Sequence, residues 1–247
     1  MQRILSFLRR ACDEYNLIDD GDTIAVGVSG GKDSLVLLKA MALFSRFSPK
    51  KFTLKAITID MFSGKSDFSK IANLCKELNV EYHIVNSDIY EIVFNERKES
   101  NPCSLCSKLR RGMLNTKAIE LGCNKLALGH SSDDVLHTFL LSLFYEGRLS
   151  TFLPKLYMDR TGMTVIRPLI LTDEKDIKSA SKDLPVTKSN CPADKHTKRE
   201  LVKELIKTIQ KDIPIAKDRM FTALIHPERY NLFDKAYDEE NYWKKKK

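Results

Sequence analysis

The chain has 247 residues, with 41 Lys and Arg against 33 Asp and Glu, a net charge of +8. This length accommodates one large α/β domain, or one domain with a small appendage, whose core needs no disulfides. With 43% apolar residues, 30% charged residues, ten glycines and eight prolines, the composition is that of an ordinary folded protein rather than a disordered chain, and the positive balance favours a polyanionic partner such as nucleic acid. A lysine-rich surface with no partner is the alternative, and the terminal K-K-K-K reads equally as a solvated tail.

The opening M-Q-R-I-L-S-F-L-R-R carries Arg3, Arg9 and Arg10 among its apolar residues, so neither a signal-peptide core nor a membrane span forms there, and a cytoplasmic location without membrane partners is expected. Ile4, Leu5, Leu8 and Cys12 share one helical face, which predicts a short leading helix within residues 1–20, stopped by D-D-G-D at Asp19 to Asp22.

Apolar, β-branched runs follow at Thr23 to Val28, Leu54 to Ile59, Tyr82 to Val85 and Lys125 to Leu128, and each reads as a short buried strand. Helical spacing lies between them: Leu35, Leu38, Met41 and Ala42, then Ile71, Leu74, Cys75 and Leu78, then Leu109, Met113, Ala118 and Leu121. Strands alternating with helices imply a doubly wound parallel sheet of the α/β class. Val135 to Phe144 forms a further helix, for which Ser131 and Asp134 fit a capping box, and the sheet is expected to end at Thr164 to Leu169. Beyond Leu171 the chain reads as helical again, at Asp173 to Ile177 and Arg199 to Ile209, separated by the irregular K-S-N-C-P of Lys188 to Pro192. The expected organisation is a leading helix over 1–20, an α/β domain over 21–172 and a helical extension over 173–247 packed on the same domain.

Between the first strand and its helix stands S-G-G-K-D-S, Ser29 to Ser34. In an open α/β sheet, ligands gather at the carboxyl ends of the strands, where a helix N-terminus offers backbone N–H groups to an anion. Gly30 and Gly31 permit a tight turn and a close approach of phosphate, and the Ser29 and Ser34 hydroxyls can donate further bonds. The string is neither a Walker A motif nor a dinucleotide fingerprint. A second string, G-H-S-S-D-D (Gly129 to Asp134), also leaves a strand and enters a helix, so it is expected beside the first at the same sheet edge. Paired carboxylates there suit magnesium or substrate orientation, while helix capping by Asp133 and Asp134 is the plain structural role.

Of the six cysteines, Cys103 and Cys106 have ligand spacing, in P-C-S-L-C at a helix entry, a setting that favours thiolate for metal binding or redox work. Cys191 is the best third thiolate; a structural zinc site wants four ligands, whereas an iron–sulfur cubane on three cysteines leaves one iron open. Cys12, Cys75 and Cys123 read as core residues.

S-G-G-K-D-S resembles the PP-loop of the ATP pyrophosphatase superfamily. Taken with C-S-L-C-S-K-L-R-R-G (Cys103 to Gly112), G-H-S-S-D-D and the late cysteine, the chain resembles the TtcA family of tRNA 2-thiocytidine-forming sulfurtransferases. The similarity runs from Leu17–Asp22 through Phe144–Arg148 and Ile166–Leu169 to Asn231–Asp234, most of the chain. The resemblance implies the PP-loop ATP pyrophosphatase fold, of the adenine nucleotide alpha hydrolase-like type. It also implies ATP- and cluster-dependent thiolation of a cytidine in the anticodon loop of tRNA. On this basis Ser29, Gly30, Gly31, Lys32, Asp33, Ser34, Gly129, His130 and Asp133 bind ATP. Cys103, Cys106 and Cys191 ligate a [4Fe-4S] cluster, and Asp134 holds Mg2+. Asp33, Arg110 and Asp134 take catalytic parts: ATP adenylates the C2 oxygen, sulfur from the open iron replaces it, AMP leaves, and Arg110 steadies the negative charge. Lys108, Arg110, Arg111, Lys195, Lys198 and Arg199 form basic strings next to the cysteines that could grip RNA, their plain alternative being a solvated helix face. Phe62, Phe144 and Tyr145 are candidates for stacking a base. The sulfur donor would be a cysteine desulfurase or free sulfide, and a homodimer is one possible assembly.

The chain departs from the family pattern at Ser131, often Asn, and at N-C-P-A-D (Asn190 to Asp194), often a second C-x-x-C. Those departures leave ATP and the cluster in place but keep another nucleoside or a small molecule open as the substrate. A non-catalytic ATP sensor and a zinc-stabilised RNA-binding module are the rival classes, separated from the enzyme by bound iron, sulfide and ATP turnover.

Overall fold

The structure is a computed structural model that describes residues 1–64, 66–97, 102–187, 198–230 and 232. Helix α1 (Gln2–Glu14) buries Ile4, Leu8 and Cys12 of the expected face together with Ala11, while Leu5 is half-buried. It ends at Glu14, before the D-D-G-D string, and Gly21, at φ +82°, instead turns the chain into strand β1 (Asp22–Gly27). Strands β2 (Phe52–Asp60), β3 (Glu81–Asn86), β4 (Lys125–Ala127), β5 (Lys155–Met158) and β6 (Met163–Ile166) complete one six-stranded sheet in the order β3-β2-β1-β4-β6-β5.

All neighbours pair in parallel except β5 with β6. In chain order the sheet ends at β6, where the Thr164 to Leu169 run is expected to end it, and beside β6 it gains β5, an antiparallel edge strand that the sequence pattern does not mark. K-L-Y-M is only four residues long, and its Leu156 and Tyr157 are 42% and 59% exposed, so it lacks the buried apolar run that marks the inner strands.

Helices α2 (Lys32–Phe44), α3 (Ser69–Glu77), α4 (Pro102–Glu120), α5 (Ser132–Leu141) and α6 (Glu174–Ala180) join the strands or follow them. Helix α2 is buried almost throughout. Its residues Leu35, Leu38 and Met41 belong to the larger core with Ile24, Val26 and Ile166, while Ala118 of α4 lies in the opposite core with Ala25, Ile57, Leu126 and Val165. Helices α7 (Lys198–Asp212) and α8 (Ala216–Ile225) lie against α5, where Val202 and Ile206 meet Leu136 and Leu140. Cys12, Cys75 and Cys123 are buried core residues, and burial raises their thiol pKa values, to about 12 for Cys12 and about 11 for Cys75. Among the described residues no helix is long and apolar enough to cross a membrane.

The strand order reverses between β1 and β4, so the loops leaving their carboxyl ends diverge and open a crevice. At the opposite, amino ends of the same strands, Lys125 Nζ lies 2.6 Å from both Asp22 Oδ2 and Asp19 Oδ2, with the Lys125 and Asp22 side chains 5% and 3% exposed. Removing one partner strands a buried charge, which costs more than the intact pair is worth. Lys125→Met is therefore expected to lower the unfolding free energy by about 3 kcal/mol in urea titrations. Adding Asp22→Leu should recover part of that loss; a double variant that loses the sum of the two single effects would place the cost elsewhere.

Candidate active site at the carboxyl edge of the sheet

The chain leaves β1 through Val28, whose N–H donates to Ile57 O at 2.8 Å, and turns at once. Gly30 sits at φ +80°, in the left-handed region, and a side chain there would run into Thr187 Oγ1. Thr187 also donates its N–H to Gly30 O at 3.0 Å, so the segment before position 188 is fastened to the loop. Ser34 Oγ accepts from Ser29 N at 3.1 Å and donates to Gly31 O at 2.9 Å. The Ser34 hydroxyl thus bonds within the loop, to Ser29 and Gly31, while it also lines the cavity at this edge of the sheet. Gly31 caps α2 without any side-chain hydrogen bond, which leaves the first N–H groups of that helix open to an anion.

Helix α5, leaving β4 beside it, is built the other way. Ser131 Oγ accepts from Asp134 N at 3.3 Å, and Asp134 Oδ2 accepts from Ser131 N at 2.9 Å, the anticipated capping box. Of two neighbouring helix starts, one is closed by its own side chains and the other is open. Gly129 brings them together: a Cβ there would lie 2.9 Å from Asp33 O and 3.1 Å from Ser34 N.

A cavity of about 540 Å³ lies over this edge, lined by Ser29, Asp33, Ser34, Gly129, His130, Asp134, Cys103, Cys106, Arg110 and Arg111. Cys103 and Cys106 are one turn apart at the start of α4, so both thiols face the same space, and Cys106 Sγ is 3.6 Å from Met61 Sδ. Soft sulfur donors at that spacing fit iron or zinc better than magnesium. Ile57, Ile59, Met61, Phe94, Leu114 and Leu128 supply an apolar wall of the kind that covers a base. Sequence periodicity marks Ile57 and Ile59 as strand residues and Leu128 as a strand end, but it gives no sign that Met61 or Phe94 reaches this space.

Other expected site residues are placed elsewhere. Asp133 turns away from the cavity: its Oδ1 is 2.6 Å from Lys217 Nζ, and its Oδ2 accepts from Glu174 N at 2.7 Å, tying α5 to α6 and α8. A step of one residue rotates a helical side chain by about 100°, which separates Asp133 from Asp134. Asp134 Oδ1 is 2.9 Å from Arg199 Nη1, so this carboxylate, the anticipated magnesium ligand, is already shared between its cap and a cation. Lys32 Nζ points to Asp33 Oδ2 and to Glu174 Oε1, each at 2.9 Å, and does not line the cavity. Burial works against the Lys32 charge, but the hydrogen bonds it donates to Glu174 and Asp33, with their negative charges, outweigh it and raise the pKa. Asp33 is shifted upward, first by burial and then by Asp134 and Glu174, against the pull of Lys32. Glu174 is the partner that a linear reading misses, since D-E-K-D-I marks only a helix start.

The basic strings divide in a similar way. Arg110 and Arg111 face the cavity, while Lys108 lines a separate groove with Asn86 and Leu109. Lys198 Nζ stands 4.1 Å from the Tyr145 ring centroid. Phe62 packs on Tyr90 with centroids 5.0 Å apart, and Phe144 and Tyr145 are exposed. Cys191 and Lys195 lie outside the described residues.

His130 packs 4.8 Å from Phe152, and its pKa is pushed down to about 4, first by burial and then by Arg167. The unfolded chain takes up this proton near pH 6.5 and the folded chain only near pH 4, so the folded state is penalised as pH falls through that window. Stability is expected to rise by about 1 to 3 kcal/mol between those limits on account of His130. Urea titrations of His130→Gln along that pH series should show a correspondingly flatter profile.

The family model of the PP-loop domain matches residues 3–209. A tRNA-cytidine(32) 2-sulfurtransferase of Ralstonia pickettii (strain 12J) is 39% identical over 226 residues, covering 90% of this chain and 72% of that protein. The protein of the same name from Citrifermentans bemidjiense is 38% identical over 241 residues, covering 95% and 94%. The solved structure of the U34-tRNA thiolase NcsA from Methanococcus maripaludis, with its [4Fe-4S] cluster, superposes with a TM-score of 0.76 at 25% identity, over 98% of this chain and 84% of that one. The NH3-dependent NAD synthetase of Campylobacter jejuni, at 14% identity and a TM-score of 0.50, shares the fold.

Proposed function

Because the chain belongs to the family of PP-loop domains, we propose that it is an ATP-dependent, [4Fe-4S]-dependent tRNA sulfurtransferase that exchanges the C2 oxygen of a cytidine for sulfur. A single meeting of groups carries this reading: the uncapped N-terminus of α2 and the thiols of Cys103 and Cys106 open into one cavity. The names of relatives 38–39% identical over at least 90% of the chain point to cytidine 32 of tRNA. The same reading places the protein in the cytoplasm, with sulfur supplied by a cysteine desulfurase or as free sulfide and a homodimer as its assembly.

ATP is the activating substrate: the cytidine oxygen takes up AMP, pyrophosphate departs, and the C2–O bond then breaks as the C2–S bond forms, AMP carrying off the oxygen. The open N–H groups of α2, with Gly30 and Gly31 keeping side chains out of the way, receive the phosphates. Arg110 reaches the same cavity and is assigned to the negative charge of the leaving AMP. Asp134, beside Asp33, is assigned to magnesium, with Arg199 as its counter-ion when the metal is away. Lys32 is held ready by Glu174. Cys103 and Cys106, together with Cys191 from the sequence, would hold the [4Fe-4S] cluster, which supplies an open iron that carries sulfur. The described residues on either side of positions 188–197 support that third ligand, since Thr187 is bonded to Gly30 and Arg199 to Asp134.

The test is direct. Anaerobically reconstituted protein, tRNA transcript, Mg-ATP and sulfide should yield 2-thiocytidine on nucleoside digestion and mass spectrometry, and only when ATP is present. Cluster-loaded protein that leaves every nucleoside unthiolated would overturn the reading; 2-thiouridine in its place would overturn the cytidine assignment alone.

A further inference from the structure

The apolar lining of the cavity divides into two groups, each held together by its own contacts. Gly27 pairs with Ile57 across β1 and β2, and a Cβ at Gly27 would lie 3.0 Å from Leu114 Cδ2 and 3.2 Å from Leu128 Cδ2. These residues form a floor at the strand ends, next to Ser29 and the open start of α2. The other group stands beyond the end of β2, where Met61 Sδ lies 3.6 Å from Cys106 Sγ. Met61 O accepts from Tyr90 N at 3.1 Å, and Tyr90 leads into a π-helical turn (Glu91–Glu96) that brings Phe94 to the cavity.

Phe94 is the inner ring of a row. Its centroid is 5.0 Å from that of Tyr90, four residues earlier, with the planes 31° apart, and Tyr90 lies 5.0 Å from Phe62 with the planes 37° apart. Both distances are those of favourable aromatic pairs. The three rings are half-buried, and of them Phe94 lines the cavity. A ring backed by further rings has little freedom to turn aside, so it presents a fixed apolar surface to a flat ligand. Surfaces of this kind take up unpaired bases, because every base has a π-face to stack.

We infer that Phe94, backed by Tyr90 and Phe62, is the platform on which the reacting pyrimidine of the RNA substrate stacks. The inference rests on the tRNA sulfurtransferase reading, in which two bases enter one cavity. The pyrimidine must bring its C2 to sulfur delivered beside Cys103 and Cys106, and the Phe94 group is the one fastened to Cys106 through Met61. Adenine takes no part in that transfer, and the floor of Gly27, Ile57, Leu114 and Leu128 lies next to the loop proposed to receive its phosphates. Phe94 holds and orients the base and does no chemistry on it.

The experiment compares the cluster-loaded full chain with Phe94→Leu, which keeps the apolar bulk and removes the ring, and with Phe94→Tyr, which keeps the ring. Thiolation is followed at varied concentrations of a tRNA transcript, and ATP affinity and iron content are measured separately. Base stacking is read from the emission of an RNA hairpin that carries a fluorescent cytidine analogue in its loop. Phe94→Leu is expected to lower kcat/KM for tRNA roughly 10- to 100-fold and to remove most of the emission change that the parent produces, with ATP affinity within about twofold and iron unchanged. Phe94→Tyr should retain both signals. An unchanged kcat/KM, or an unchanged emission response, in Phe94→Leu would overturn the platform. A parallel loss of ATP affinity would seat adenine on the ring and overturn it too. Should Phe94→Leu lose its iron, Phe94→Met, also without a ring, decides by the same readings; iron lost from both would make Phe94 a packing residue for the cysteines and overturn the assignment. If the parent protein thiolates no RNA, the functional reading itself fails before any variant is compared.

Discussion

Cys106→Ser is expected to abolish thiolation, by at least about 100-fold, and to reduce iron from about four atoms per chain to less than one in anaerobically purified protein. Serine nearly preserves the shape of cysteine but replaces a soft thiolate with a hydroxyl that does not ionise near neutral pH, so the change tests donor chemistry rather than packing. Cys106 and Cys103 line the cavity from one turn of α4, and loss of either leaves too few thiolates for a cubane. The groups proposed to receive the phosphates lie on α2, so ATP binding should survive. Cys75→Ala is the control: that thiol is buried among apolar residues at 1% exposure, so its loss should cost stability and leave iron unchanged. Iron retained by Cys106→Ser would remove the cluster assignment, as would iron lost equally from Cys75→Ala.

Gly129→Ala should lower kcat/KM for thiolation by on the order of 100-fold, through geometry alone. The added methyl group would lie 2.9 Å from Asp33 O, 3.0 Å from Asp33 C and 3.1 Å from Ser34 N. All three are backbone atoms of the first turn of α2, with no rotamer to escape into, so either the loop or the helix start must shift. A displacement there moves the N–H groups proposed to receive the phosphates, so the Kd for ATP should rise along with the loss of turnover, while overpacking costs about 1 to 3 kcal/mol of stability. Gly112→Ala provides the contrast, since its Cβ would meet nothing within 4 Å in the middle of α4. That change should be neutral, or stabilising by about 0.5 to 1 kcal/mol. Equal activity in Gly129→Ala and the parent would mean that the two loops need not touch.

The open start of α2 and the closed start of α5 show how far the sequence could be read. S-G-G-K-D-S announces a glycine turn entering a helix, and S-S-D-D announces a capping box, because each depends on backbone angles and hydrogen bonds within a few residues. The C-x-x-C of α4 is equally legible, since i and i+3 meet on any helix. What the linear pattern hides is the choice between near-identical neighbours. Asp133 and Asp134 look alike as a pair of carboxylates, yet one faces Lys217 and the other the cavity. The Ser34 hydroxyl lines the cavity and also bonds within its own loop, to Gly31 O.

By itself, the sequence determined the alternation of strands and helices, the glycine loop, the cap of α5, the paired thiols and the burial of Cys12, Cys75 and Cys123. These follow from side-chain period, backbone freedom and hydrophobicity, which act over a few bonds. Only the tertiary structure decided that Glu174 holds Lys32, that Thr187 fastens Gly30, that β5 closes the sheet and that Arg167 stands buried beside Phe152. Those outcomes depend on which distant segments the packed sheet brings side by side, and neither charge nor spacing along the chain encodes a partner that only folding brings within reach.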